Sequence, residues 1–201
     1  EFSQAFGEFE RIDRELLALA VRDSNLKAYN LAFGPAAEAL EQVDAALSRV
    51  VTKSATWPNS SDIMRLAFGA QAAALRIQAL LAPHIAEESD KKMDELEAMM
   101  AKEDRQVHHD LDDLEAIKNL AADPDLVAAS SAYARFSALR TQILALSREN
   151  TNVRSVAISL GQKRKVMLLC QSALDALRQS ILAETPAGVD YGRFGRPLKL
   201  P

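Results

Sequence analysis

The feature that most constrains this chain is an internal repeat. The segment Glu15–Gly34, ELLALAVRDSNLKAYNLAFG, and the segment Gln142–Gly161, QILALSRENTNVRSVAISLG, align without a gap. Each opens on an apolar run (Leu16 to Leu19; Ile143 to Leu146) and passes into a polar centre (Arg22-Asp23-Ser24-Asn25; Glu149-Asn150-Thr151-Asn152). A base comes next (Lys27; Arg154), then an apolar close on Gly34 or Gly161. The echo spreads outward, pairing Phe6 with Tyr133, Phe9 with Phe136 and Ala46-Leu47 with Ala173-Leu174, so the repeated units span about 3–53 and 130–180. Equivalent segments of this length imply two long helices doing equivalent jobs.

The apolar residues recur at three- and four-residue steps. The first helix is expected over about 3–53, on a seam of Phe9, Ile12, Leu16, Leu19, Leu26, Phe33, Leu40 and Leu47, with a kink at Gly34-Pro35 because proline removes a donor and crowds the preceding turn. A turn at 54–59 leads to a seam of Ile63, Ala67, Ala70, Ala74, Ile77 and Leu81, and a further seam runs through Met93, Leu96, Met100, Val107, Leu111 and Leu114. Between them the phase is lost around Pro83, and Ser89-Asp90 offers a new cap. Either the chain reverses at Pro83–Asp90 and makes four helices, or it continues and makes three long ones. Asp123-Pro124 marks the start of the last helix, an N-cap carboxylate before proline at the first helical position. Its seam runs through Phe136, Leu139, Ile143, Leu146, Asn150, Val153, Ala157, Leu160, Arg164, Met167, Gln171, Leu174, Arg178 and Ile181. The expectation is an all-α fold: an elongated, antiparallel, up-down helical bundle with coiled-coil-like seams. It forms one domain over 1–185, with an irregular tail over 186–201.

Composition agrees. Hydrophobic residues make up 48% of the chain but aromatics only 5%, the Ala/Leu-rich balance of a helical bundle. A net charge of −4 provides no basic field for nucleic acid. The single cysteine, Cys170, excludes an internal disulfide and a cysteine-built metal site. No apolar run approaches the ~20 residues of a membrane span. The chain starts Glu-Phe, which reads as an excised segment whose membrane anchor lies outside it.

The polar centres of the repeat are the candidate site. Asp23 and Asn150 are repeat-equivalent and fall on the apolar seams, as do Asn30 and Arg164, with Arg22, Asn25, Lys27, Thr151, Asn152 and Arg154 around them. If the two helices are neighbours, these residues form one polar girdle. It either fixes register, as seam Asn and Asp residues do, or holds an anionic solute against Lys27, Arg154 or Arg164 with Asn and Thr orienting it. Asp104, His108 and Asp112 share a helix face, as do His109 and Asp113, but the charge density from Glu103 to Glu115 reads as a solvated acidic face and no metal is expected there. His84, after Pro83, is expected at a turn. Lys163-Arg164-Lys165 reads as a solvated face and Cys170 as a packing residue. No nucleophilic triad or phosphate loop can be assembled, so neither catalysis nor a cofactor is expected.

The stretches RIQALLAPHIAEESDKKMDELEAMM, AYARFSALRTQILALSRENTNVRS and CQSALDALRQSI, with the short Ala-Asp-Pro-Asp link, resemble the four-helix-bundle ligand-binding domain of methyl-accepting chemotaxis proteins and related sensor kinases. The resemblance implies an extracytoplasmic, periplasmic domain of a membrane-anchored signalling protein. It also implies a homodimer that binds a small solute and passes a helix displacement through the membrane. Carried over by position, it implies a ligand site at Arg22, Lys27, Asn150, Thr151 and Arg154.

Overall fold

The computed structural model describes residues 2–184, 189–191 and 197–199. The fold is an all-α helical bundle. Its helices are α1 (Phe2–Arg22), α2 (Ser24–Phe33), α3 (Pro35–Ser54), α4 (Ser60–Ala86), α5 (Asp90–Glu115), α6 (Pro124–Glu149), α7 (Thr151–Ile158) and α8 (Arg164–Glu184), with a π-helical stretch, Ser159–Lys163, between the last two. In the tail, Val189–Tyr191 pairs antiparallel with Pro197–Lys199; the rest of the expected irregular segment lies outside the described residues. The chain divides into two compact units, one of residues 20–154 and one of residues 1–19 with 155–201.

Residues 20–154 form a four-helix up-down bundle. The chain does reverse after Ala86: Arg76 pairs with Glu103 and His84 with Glu97, so α4 and α5 run antiparallel. Pro83 lies inside the last turn of α4 and does not break it, although proline cannot donate to the carbonyl of exposed Ala79 four residues earlier. Ser24 meets Thr151 while Arg49 meets Asp125, so α2 and α3 run antiparallel to the α6 side. Asp123 caps α6 as its sequence requires, its Oδ1 accepting from the N–H groups of Asp125 (2.9 Å) and Leu126 (3.2 Å). The same carboxylate pairs with Lys53, tying the end of α3 to the start of α6.

The core occupies the expected seams in α4 (Ile63, Ala67, Ala70, Ala74, Ile77, Leu81) and α5 (Met93, Met100, Val107, Leu111, Leu114), all buried. Contrary to the expectation from apolar runs, an 18-residue window of α4 has the length and composition of a membrane span. Here α4 packs against α2, α3, α5 and α6 as the central core helix. Its small residues let α5 approach closely: a Cβ on Gly69 would lie 2.5 Å from Oδ2 of buried Asp110.

The first seam fails between Asp23 and Gly34 and holds again beyond it, at buried Leu40 and Leu47. Ala28, Ala32, Ala36 and Ala39 are buried, whereas Leu26 and Phe33 are about half exposed. The expected single helix is broken at Asp23 as well as at Gly34, and each break resets the phase of the next helix. At the second break, the Ala32 carbonyl is satisfied by the Gln78 side chain of α4, 2.6 Å away. The last helix breaks at Asn150, and its expected seam at Leu160, Arg164, Met167, Leu174 and Ile181 is exposed.

In the other unit, α1 buries Ile12, and among the described residues no α8 side chain is buried. Lys163 pairs with Asp13 (2.5 Å) and lies over the Phe9 ring, 5.2 Å from its centroid, so the basic cluster contributes one structural cation. Arg164 and Lys165 are exposed, and Cys170 is a partly exposed free thiol.

Candidate functional site

The two polar centres of the repeat meet within residues 20–154. Each begins with a left-handed residue, Asp23 (φ 50°, ψ 43°) and Asn150 (φ 51°, ψ 37°). Asp and Asn visit this region most readily among residues with a Cβ. Each also starts the next helix, its carbonyl accepting from Lys27 N–H (3.1 Å) or Arg154 N–H (3.0 Å).

The first N–H groups of a helix have no partner inside it. Here each helix caps the other. Ser24 N–H donates to Thr151 Oγ1 (3.0 Å), and Thr151 N–H donates to Ser24 Oγ (3.1 Å). Asn25 N–H donates to Asn152 Oδ1 (3.1 Å), and Asn152 N–H donates to Asn25 Oδ1 (3.2 Å). The Asn152 amide also donates to Asp23 Oδ1. Four orphan donors are thereby satisfied by four side chains in a reciprocal exchange.

The remaining amide hydrogens reach the turn between α4 and α5. Asn25 Nδ2 donates to the Ile85 carbonyl (2.7 Å) and to Asn150 Oδ1 (2.9 Å), and Asn150 Nδ2 donates to the Glu87 carbonyl (2.9 Å). Carbonyls at a helix end are themselves short of partners. One clasp therefore joins the start of α2, the start of α7 and the end of α4, with Ser24, Asn25, Asn150 and Thr151 buried.

Of the candidate residues, the structure brings Asp23, Asn25, Asn150, Thr151 and Asn152 together in this clasp and adds Ser24, which is not among the candidates. Its reciprocal place opposite Thr151 in the aligned repeats was the available signal. Arg22, Lys27, Asn30 and Arg154 lie outside the clasp and are exposed. Among the described residues Arg22, Lys27 and Arg154 make no ion pair, leaving three uncompensated cations within a few residues of the two breaks.

A second polar cluster lies one turn from the clasp. His84 is not at a turn but fully buried in α4. Its Nδ1 lies 2.8 Å from Ser147 Oγ and its Nε2 2.9 Å from Glu97 Oε1. Arg148 Nε donates to the same Glu97 oxygen (2.7 Å), and Arg148 also reaches Asp94. The Arg148 guanidinium, with a smaller contribution from His84, holds the Glu97 carboxyl below the usual range, although partial burial works the other way. Ser, His and Glu are in triad-like sequence, with Ser147 fully buried.

The expected acidic face of α5 is not wholly solvated. Asp104 accepts from Tyr133 Oη (2.6 Å) and Arg140 Nη1 (2.8 Å). Burial would raise its pKa, but those two donors outweigh it and keep the carboxyl below its ordinary value. The Tyr133 hydroxyl is pushed upward by burial and by that carboxylate. His108 is bonded to its own helix, through the Asp104 carbonyl (2.9 Å). Among the described residues no group of three or more His, Cys, Asp and Glu side chains is placed to hold a metal ion. On the surface between α3 and α6, a groove of about 480 Å³ has Arg49 and Arg135 on its rim.

Comparison with protein-family models, with curated proteins and with solved structures found no match in any of the three.

Proposed function

We propose that this chain is a non-enzymatic sensory bundle: the extracytoplasmic, periplasmic part of a chemoreceptor-like or sensor-kinase signalling protein, anchored in the membrane outside this segment. In this reading it responds to a small anionic solute and relays the response by helix displacement. The observation that carries the proposal is the clasp. Two repeat-equivalent helices break at matching positions, and their cut ends are held by side-chain bonds rather than by continuous backbone. Such a junction gives a displacement of an ångström or two, the size of interface helix shifts, a place to act. The exposed cations Arg22, Lys27 and Arg154 supply the charge an anionic solute needs next to that junction.

A second reading is a structural dimerisation module without a ligand. It is favoured by the use of the clasp's polar groups within the chain, and by the half-exposed stripe Leu26, Tyr29 and Phe33 on one face of α2, whose two rings lie 4.5 Å apart. A homodimer is part of both readings.

Thermal melts against a panel of amino acids, organic acids and aromatic acids separate them. A bound solute raises the melting temperature through linkage, stabilising the fold by about 2.7 kcal/mol at a concentration a hundredfold above Kd. A hit whose affinity falls in Arg154→Ala supports the sensory reading at this site. A hit indifferent to Arg22, Lys27 and Arg154 moves the site elsewhere, and no hit across the panel favours the structural module.

A further inference from the structure

We propose that His84 is a proton-operated latch on the clasp, tightening it as pH falls. The latch would regulate the junction described above and rests on the sensory reading for its purpose, but not for its chemistry.

The hydrogen bonds around His84 allow two states. The Glu97 carboxylate only accepts, so Nε2 carries a hydrogen in both. The choice is at Nδ1, which shares the single hydroxyl hydrogen of Ser147. That hydroxyl lies 2.8 Å from Nδ1 and 3.0 Å from the His84 carbonyl oxygen. With the imidazole neutral, Ser147 donates its hydrogen to Nδ1 and has none for the carbonyl. When the imidazole takes a proton from solvent, Nδ1–H donates to Ser147 Oγ, and the hydroxyl turns to donate to the carbonyl. Protonation therefore adds one hydrogen bond from α6 to the last turn of α4 and completes a charged pair with Glu97.

The added bond falls at a decisive place. The next residue, Ile85, gives its carbonyl to Asn25, and Glu87 gives its carbonyl to Asn150. Fixing the end of α4 to α6 thus fixes the acceptors that hold both asparagines. The charged groups around His84 are Glu97 from α5 and Arg148 from α6, with Asp90 and Asp94 beyond the guanidinium. Glu87, on the turn, is directed instead to the N–H groups of Glu88 and Ser89 and towards Lys92. No charged side chain from α2 is bonded to His84 among the described residues.

The test is amide hydrogen exchange of the intact chain from about pH 8 to about pH 5.5, corrected for the intrinsic pH dependence of exchange and read at Ser24, Asn25, Thr151 and Asn152. The proposal predicts that protection at these four amides rises about fivefold as pH falls, the effect of one additional hydrogen bond. The rise is absent in His84→Gln and in Ser147→Ala, the smaller change that keeps the test available if the first variant does not fold. It persists when exposed His108 and His109 are both changed to Asn. A flat wild-type profile, a rise that survives in Ser147→Ala, or one lost in the His108/His109 variant overturns the latch. Because no solute is present, failure here leaves the solute-binding result untouched, and a failed solute panel leaves this one untouched.

Discussion

Asp23 and Asn150 hold the same left-handed backbone conformation, with φ of 50° and 51°, at matching positions of the two repeats. Both end one helix and begin another, and the side chains just after them cap each other. The internal symmetry of the sequence is thus a symmetry of helix breaks rather than of two uninterrupted helices.

The first prediction separates backbone from side chain at Asn150. Glycine tolerates positive φ but loses the bonds to Asn25 and Glu87; leucine loses the bonds and is also strained. Asn150→Gly is expected to cost about 1–2 kcal/mol and Asn150→Leu about 3 kcal/mol or more. At a mid-helix seam position leucine would have stabilised the bundle. Urea denaturation of both variants gives the order directly.

Gly69 and Asp110 give the second. A Cβ at residue 69 would meet Oδ2 of Asp110 at 2.5 Å and Cγ at 3.2 Å, and Oδ2 is buried without a hydrogen-bond partner among the described residues. Gly69→Ala is expected to destabilise by about 1–3 kcal/mol despite alanine's better helix propensity. With Asp110→Ala also present, the clash and the unsatisfied oxygen both disappear, and the double variant is expected to melt at or above the wild type.

Acid sensitivity is the third. Asp104 and Asp123, partly buried but more strongly stabilised by their donors, and Glu97, held chiefly by Arg148, all have carboxyls below their ordinary values in the folded chain. The unfolded chain therefore binds more protons, and stability rises with pH through this range. The contribution is fully present above the ordinary carboxylate range of about pH 4 and is lost as pH falls through the depressed values. Arg140→Met removes a hydrogen-bonding partner of Asp104 and is expected to cost about 1–3 kcal/mol at neutral pH, with a shallower loss in acid. Denaturant midpoints measured from about pH 6 to about pH 2 check both the sign and the window.

What the sequence made legible was set by which signals are local. The all-α class, the α4 and α5 seams and the Asp123 cap are written in spacing and capping chemistry, and they stand in the structure as expected. The burial of Ala28, Ala32 and Ala39 in place of Leu26 and Phe33 was not legible, because it depends on a phase reset by one left-handed residue. Asp23 and Asn150 look like seam residues to a periodicity argument; only the coincidence of Ser24-Asn25 with Thr151-Asn152 hinted that they were paired ends. The place of His84 was not legible either, because Pro83 beside it has the chemistry of a breaker. The helix nevertheless runs on through Pro83 to Ala86, and the partners of His84, Glu97 and Ser147, lie on other helices.

The most direct test of the central claim is a double-mutant cycle between Ser24→Ala and Thr151→Val, measured by equilibrium denaturation. If the two residues cap each other's helix, each single change costs about 1–2 kcal/mol, and the pair couples by about 1 kcal/mol, because the second change finds the exchange already broken. Costs that add to within about 0.3 kcal/mol would contradict the clasp and leave the two helix breaks as independent local features.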